Sequence, residues 1–421
     1  MVGQQHIIII GAGIVGLSTA YALLKEGKRR VTLLEQAAID HPGGASHGFS
    51  RLLRFEYGPD QLYTAMVQLS LERWKRLELA AMRALYMPTG VLALGSRDDG
   101  YTHSSYELAR DRGLPIEYLD EAQCNKRFPQ FSTHTFDVVT FNAEGGILHA
   151  SACLQTLRDM VLDMGGEIVE TYRVMRITHN DQCRPLLLYL ASGQVISAER
   201  VVIAAGPWVH HLLPEVELPV RMTRQYLLYF AGLPAACYEA GTFPAFLAGN
   251  LYGFPIHRGC NGWVKASSHD FGHTVSPDDR TPPDEAIIDN IREQLSAFLP
   301  ALRHAPLARI DACMYDVSPD EHFILDHLPG DPRVIVATGL SGHGFKFGLL
   351  LGELLSSMLC DTEPVVPLER FRLARFAKEV QEGRPPDNSP HSSVQGRPQG
   401  SPPLVHSSPA PTMNAPGVSL P

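Results

Sequence analysis

His6-Ile-Ile-Ile-Ile-Gly11-Ala-Gly13-Ile-Val-Gly16, completed by Glu35 at the end of the next apolar run, is the stretch of this 421-residue chain from which the fold is read. Four consecutive isoleucines suit a central parallel strand that is buried on both faces. Ile14, Leu17, Tyr21 and Leu24 then recur at helical spacing, Gly27 ends the helix, and Val31 to Leu34 form a second strand. In such a strand-turn-helix unit the first glycine permits the tight turn, the second lets backbone approach a pyrophosphate, and the third packs helix on strand. The helix starting near Ile14 points its positive end at the phosphates. Glu35, 24 residues after Gly11, is placed to accept hydrogen bonds from ribose hydroxyls and to repel a 2′-phosphate. The motif alone does not separate FAD from NAD.

Working outward, the next alternating strand-helix unit does not follow. His41-Pro-Gly-Gly-Ala-Ser-His-Gly reads as a loop, and Leu62, Met66, Leu69 and Leu77 then mark a long amphipathic helix. Val201-Val-Ile-Ala-Ala-Gly206 and Val334-Ile-Val-Ala-Thr-Gly339 each read as a buried strand ending in a glycine turn, late strands of the same parallel sheet. Between them, segments such as Gln225 to Phe230 and Gly262 to Ser267 alternate like β-strands. The expected architecture is therefore α/β: a Rossmann-like parallel-sheet domain interleaved with a second, mainly antiparallel β plus α substrate domain. The boundaries expected are 1–85, 145–215 and 320–377 for the first domain and 86–144 and 216–319 for the second. Residues 383–421 hold ten of the 32 prolines and no periodic apolar residues, the composition of a disordered tail.

Composition narrows the function classes. Apolar residues make up 44% and charged residues 19%, ordinary for a globular enzyme, and no apolar run approaches the length of a bilayer span. A net charge of -9 disfavours nucleic acid, which calls for a basic face. The seven cysteines are scattered and contain no CxxC pair, which argues against a disulfide framework or a zinc site, and no metal is expected. A reducing, cytoplasmic setting is expected. The first apolar run is committed to a strand and not to a signal peptide, and the terminal Val-Ser-Leu-Pro is not a Ser-Lys-Leu peroxisomal address.

Five motifs carry a family resemblance: the glycine fingerprint, Gly44-Ala-Ser-His-Gly-Phe-Ser-Arg-Leu-Leu-Arg54, Lys265 to His269, Cys313 to Asp326, and Gly339 to Phe347. From about His6 to Phe376 their order and intervals resemble the monomeric sarcosine oxidase and N-methyltryptophan oxidase family, within the D-amino acid oxidase-like flavoproteins. The Tyr-Asp-x-Ser-Pro-Asp-Glu run and Phe371-Arg-Leu-Ala-Arg-Phe376 look more like the N-methyltryptophan oxidase branch. The resemblance implies FAD as the cofactor, an N-methyl amino acid as the substrate, molecular oxygen as the acceptor, and a monomer without nucleic-acid or membrane partners.

The same resemblance implies residue roles. A solitary cysteine is by composition a small core residue, but Cys313 stands in the context of the family's flavinylated cysteine, which implies covalent FAD. Lys265 corresponds to the lysine that promotes the reaction of reduced flavin with oxygen, where a positive charge stabilises developing superoxide. Arg54 is implied as the carboxylate anchor, while Arg51 lies against the flavin with His47 nearby. An arginine fork suits an amino-acid carboxylate. Lys346, after Gly342 and Gly344 at the start of a helix, suits either a substrate carboxylate or the anionic edge of reduced flavin. His269, Tyr252 and Tyr315 match the family's pocket walls. Leu247 stands where sarcosine oxidase has a methionine, and Asp316, where it has a threonine, is expected to cap the Ser-Pro turn. The implied reaction converts the N-methyl amino acid to the amino acid, formaldehyde and hydrogen peroxide. A related flavin amine dehydrogenase, a D-amino or cyclic imino acid oxidase, and a non-catalytic flavin-binding protein stand as alternatives.

Overall fold

The structure is a computed structural model that describes residues 6–27, 30–98, 100–178 and 184–381. The expected tail at 383–421 lies outside the described residues. A six-stranded sheet runs in the order Ile324–Leu328, Asp331–Thr338, Arg200–Ile203, His6–Ile10, Arg30–Leu34, Glu167–Val169. All neighbours are parallel except the first pair, which is an antiparallel hairpin. The isoleucine strand sits inside this sheet, where both faces are covered: Ile7, Ile8 and Ile9 are at most 1% exposed. That burial is why the run is continuously apolar instead of alternating.

On one face, the helix Ile14–Lys25 packs against the late helix Gly348–Cys360. Glycines make the approach possible. A Cβ on Gly352 would fall 2.4 Å from the backbone of Ser18, and one on Gly348 would fall 2.4 Å from the Ile14 side chain. The long helix Gln61–Ala81 begins at Asp60, whose side chain accepts from the Leu62 and Tyr63 amides, and ends at Met82 in the left-handed region. It packs on Gly348–Cys360, and buried Trp74 Nε1 donates to the Lys346 carbonyl at 2.7 Å.

The second sheet has eight strands, in the order Leu307–Val317, Arg221–Phe230, Val264–Ser268, Leu251–Phe254, Ala245–Ala248, Val91–Gly95, Val138–Asn142, Ile116–Tyr118. It is antiparallel except for the Ala245–Ala248 and Val91–Gly95 pair. The helix Glu285–Phe298 contributes Ile288, Ile291, Leu295 and Phe298 to the core on this sheet. A small sheet of Ser50–Leu53, Gly146–His149 and Tyr86–Met87 stands beside it. The chain is thus α/β, with a Rossmann-like parallel sheet interleaved with a mainly antiparallel one. No described helix is long and apolar enough to cross a membrane.

Candidate active site

Two cavities abut along the carboxyl end of the parallel sheet, sharing Ile14, Ala45, Ser46, Asp316 and Leu340 in their walls. The first, about 1050 Å³ including its open mouth, lies over the glycine turn. Gly11 has φ +99°, and a Cβ there would fall 2.4 Å from the Ala204 carbonyl oxygen. On Gly16 it would fall 1.9 Å from the Gly11 carbonyl oxygen, so the helix closes on the strand only with glycine. Gly13 faces the cavity across from the Ser46 hydroxyl, which accepts from the Ile14 amide at 3.0 Å. Glu35 lines the cavity too, and both carboxylate oxygens are engaged: one accepts from the Ala12 amide at 2.8 Å, the other from the Ala37 amide at 3.0 Å. Glu35 therefore braces the glycine turn, a task its spacing did not announce. His47 lies on the same wall, where its hydrogen bond to the Asp40 carboxylate raises its pKa.

The second cavity, about 1030 Å³ with its mouth, lies between the glycine turn and the eight-stranded sheet. Cys313, Tyr315, Tyr252 and Lys265 reach it from three adjacent or near strands, because alternate residues of a strand share a face. The Cys313 and Gln225 register places the thiol beside the loop at Ala45, whose carbonyl oxygen is 3.9 Å away. Lys265 is 2% exposed; Nζ donates to the Ser50 carbonyl at 2.8 Å and lies 4.6 Å from the Phe254 ring centroid. Burial, with the nearby Arg51 charge, pushes its pKa well below the usual lysine range. Arg51 is tied to the Ala45, His47 and Ser50 carbonyls, so it shapes the loop and offers no open fork.

Arg54 and Lys346 meet at one end of this cavity. Arg54 donates to the Tyr101 hydroxyl at 2.8 Å and lies 4.4 Å over the Tyr57 ring. Burial works against its charge, but Tyr101, Tyr57 and Glu56 hold its pKa above the usual value. Lys346 sits in the short turn Phe345–Phe347 that precedes the helix Gly348–Cys360; Nζ donates to the His343 carbonyl at 3.0 Å and lies 5.1 Å from the Tyr57 ring centroid. Burial, reinforced by Arg54, lowers its pKa well below the usual value. His269 packs on Tyr315 with ring centroids 5.5 Å apart. Burial and the two cations bring its pKa down to about 3, so it stays neutral. The Tyr252 and Tyr315 hydroxyls are 3.5 Å apart. Gly342 has φ +74°, and a Cβ there would enter the Tyr315 ring at 2.2 Å. Gly344 is held against the Leu340 side chain in the same loop.

Asp316 departs from expectation. Its carboxylate accepts from the Thr338 hydroxyl at 3.1 Å, while the Ser-Pro turn is capped by Asp320, which accepts from the Ser318 hydroxyl and the His322 amide. Asp316 instead stands where the two cavities abut, and burial raises its pKa to about 6. Tyr101, His343, Ser46 and Glu56 were not singled out from the sequence. Ser46 lies inside a motif already quoted and was within reach. Tyr101 lies 47 residues from Arg54, in a helix whose pattern carries no sign of that contact.

The residues present fit an FAD: a glycine cradle that a Cβ would fill, a helix N-terminus behind it, and an apolar cavity beyond. Among the described residues no cluster suited to a metal ion occurs. Residues 6–358 match the profile of a family described as "FAD dependent oxidoreductase". The chain is similar to a peroxisomal sarcosine oxidase from Mus musculus, 33% identical over 88% of this chain and 96% of that one. It is also similar to an N-methyl-L-tryptophan oxidase from Yersinia pestis, 31% identical over 89% of this chain and all of that one. Its fold is shared with the crystal structure of L-proline dehydrogenase from P. horikoshii, with a TM-score of 0.78 at 18% identity over 90% and 99% of the two chains.

Proposed function

The chain belongs to this family as an FAD-dependent amine oxidoreductase, and from that premise we propose that it is an oxidase that demethylates an N-methyl amino acid, sarcosine or N-methyl-L-tryptophan. The balanced reaction takes R–NH–CH3, O2 and H2O to R–NH2, formaldehyde and hydrogen peroxide. Bound FAD would supply the two-electron oxidation of the amine and pass the electrons to oxygen, held covalently through Cys313.

The observation that carries this reading is the pair of buried cations, Arg54 and Lys346, in the lining of a cavity whose eight-stranded-sheet wall bears Cys313 and Lys265. A carboxylate anchored on Arg54 is bound in a desolvated place where charge-assisted hydrogen bonds are strong. Its amine then lies among Tyr252, Tyr315, Leu247 and neutral His269. None of these carries a positive charge that would repel the amine. Lys265, buried away from the carboxylate anchor and tied to the Ser50 carbonyl, is suited to favour negative charge developing on oxygen. Gly11 makes the turn, Gly13 leaves room for backbone approach and Gly16 packs helix on strand, so this turn and the helix behind it would hold the pyrophosphate, with Glu35, Ser46 and Arg51 fixing the loops around it.

The test is an anaerobic titration with sarcosine and with N-methyl-L-tryptophan, watching the visible flavin band and then admitting air. Bleaching followed by recovery in air is expected, and the more effective amine identifies the branch. No bleaching by either amine would overturn the substrate class. Bleaching without recovery would make the protein a dehydrogenase.

A further inference from the structure

We propose that Phe271 is a specificity-determining positioning residue: it backs the His269 and Tyr315 rings that wall the substrate cavity, and so limits the room beside the α-carbon of a bound amino acid. The inference rests on the amine-oxidase reading above and adds to it a residue outside the cavity lining that sets which amine fits. Phe271 lies two residues past His269, where the Lys265 to His269 motif ends. Its ring centroid is 5.2 Å from that of His269, edge to face, and 6.4 Å from that of Tyr315, while His269 and Tyr315 are themselves 5.5 Å apart. The three rings form a closed triangle, of which His269 and Tyr315 line the cavity and half-buried Phe271 stands behind them. Tyr315 in turn meets the loop of the carboxylate anchor: a Cβ on Gly342 would fall 2.2 Å from its ring, and the next residue, His343, offers its carbonyl to Lys346 Nζ.

The ring acts as a wedge because its segment is pinned on both sides. Before it, the His269 amide donates to the Asn250 carbonyl at 2.7 Å, and the Asn250 side-chain amide donates to the Asp270 carboxylate at 2.6 Å. Asn250 and its neighbour Gly249 line the same cavity. After it, Gly272 turns the chain at φ +53°, Thr274 bridges to Thr223, and the Val275 amide donates to the Met222 carbonyl at 2.9 Å. Arg221 donates to the Gly272 carbonyl at 3.1 Å and sets its guanidinium carbon 6.0 Å from the Phe271 centroid. A ring pinned in this way does not yield to a ligand as a free surface side chain does. A carboxylate held by Arg54 places its α-carbon next to the wall that Phe271 supports. Sarcosine has only hydrogen on that carbon, whereas N-methyl-L-tryptophan carries an indolylmethyl group. Removing the Phe271 ring leaves space into which His269 and Tyr315 can shift. The larger amine gains from that shift and the smaller one does not.

The test is anaerobic stopped-flow reduction of the flavin-loaded enzyme by sarcosine and by N-methyl-L-tryptophan. It takes the limiting rate over Kd for each amine and enters an amine that gives no reduction at its detection limit. Phe271→Ala is expected to move the ratio of N-methyl-L-tryptophan to sarcosine by at least about tenfold in favour of the larger amine, mostly through Kd. Phe271→Leu, which keeps most of the volume, should stay within about threefold of the native ratio. A ring with a merely structural role would slow both amines alike. An unmoved ratio in Phe271→Ala, a shift towards sarcosine, or a shift as large in Phe271→Leu therefore overturns the inference alone. A native enzyme that neither amine reduces overturns the amine-oxidase reading and the inference with it. Should Phe271→Ala not fold, Phe271→Val is expected to move the ratio the same way by at least about threefold, and a native ratio in that variant overturns the assignment.

Discussion

At the scale of the residue, the site sorts charges by burial. Lys265, Lys346 and His269 all sit in surroundings that lower their pKa, yet only the first two have main-chain oxygens placed to accept from their side chains. This separates a neutral wall, His269, from two groups whose protonation depends on what faces them. Lys265→Met is expected to slow the reaction of reduced enzyme with oxygen by at least about 100-fold, while amine oxidation changes by less than about tenfold. Stopped-flow measurement of the two half-reactions decides this, and equal slowing of both would remove Lys265 from the oxygen step. Asp316 gives a pH prediction. Its folded-state pKa of about 6 lies above the ordinary value near 4, so the folded protein holds this proton more tightly than the unfolded chain does. The stabilisation is full below the unfolded pKa and lost as pH rises through the folded one. Asp316→Asn, which keeps an acceptor for Thr338, should flatten the fall in Tm between about pH 4 and pH 6.5. A fall as steep as in the native protein would place the titration elsewhere.

At the scale of the element, the helix Ile14–Lys25 serves the site twice, presenting its N-terminus to the cofactor cleft and receiving the helix that carries Lys346 at its approach. Their contact relies on small residues, with Gly352 seated on the Ser18 backbone. Backbone does not yield as a flexible side chain does. Gly352→Ala is therefore expected to destabilise the fold by about 1–3 kcal/mol. A lower Tm and weaker carboxylate binding should appear together, since the turn that holds Lys346 leads directly into the displaced helix. An unchanged Tm would mean that the helix pair has slack. The loop around Gly342 is set the same way, by close approach to Tyr315. The loop's Gly342-His-Gly344 sequence records where chain meets chain, but not which ring it meets.

At the scale of the whole molecule, the cofactor cleft takes one wall from the six-stranded sheet and, through Cys313, Tyr252 and Lys265, another from the eight-stranded sheet. A ligand that bridges both is expected to stabilise both by mass action. Cys313→Ser should release its flavin on denaturation. Its Tm should rise with added FAD, by about 2.7 kcal/mol of stability at a concentration 100 times Kd. Flavin retained by the denatured variant would refute the attachment site, and a Tm indifferent to FAD would refute the bridging cleft. Much of this was legible in the chain. Continuous apolar runs fixed which strands are buried on both faces, glycines marked turns that a Cβ would close, and local motifs carried Lys265, Cys313 and Lys346, because each of these signals is written within a few residues. What only the tertiary structure decided is separated in sequence: Tyr101 on Arg54, Trp74 on the Lys346 carbonyl, and Thr338 on Asp316. Such contacts follow from sheet order and helix packing, and a pKa follows from how completely water is excluded, so neither is fixed by local residue spacing.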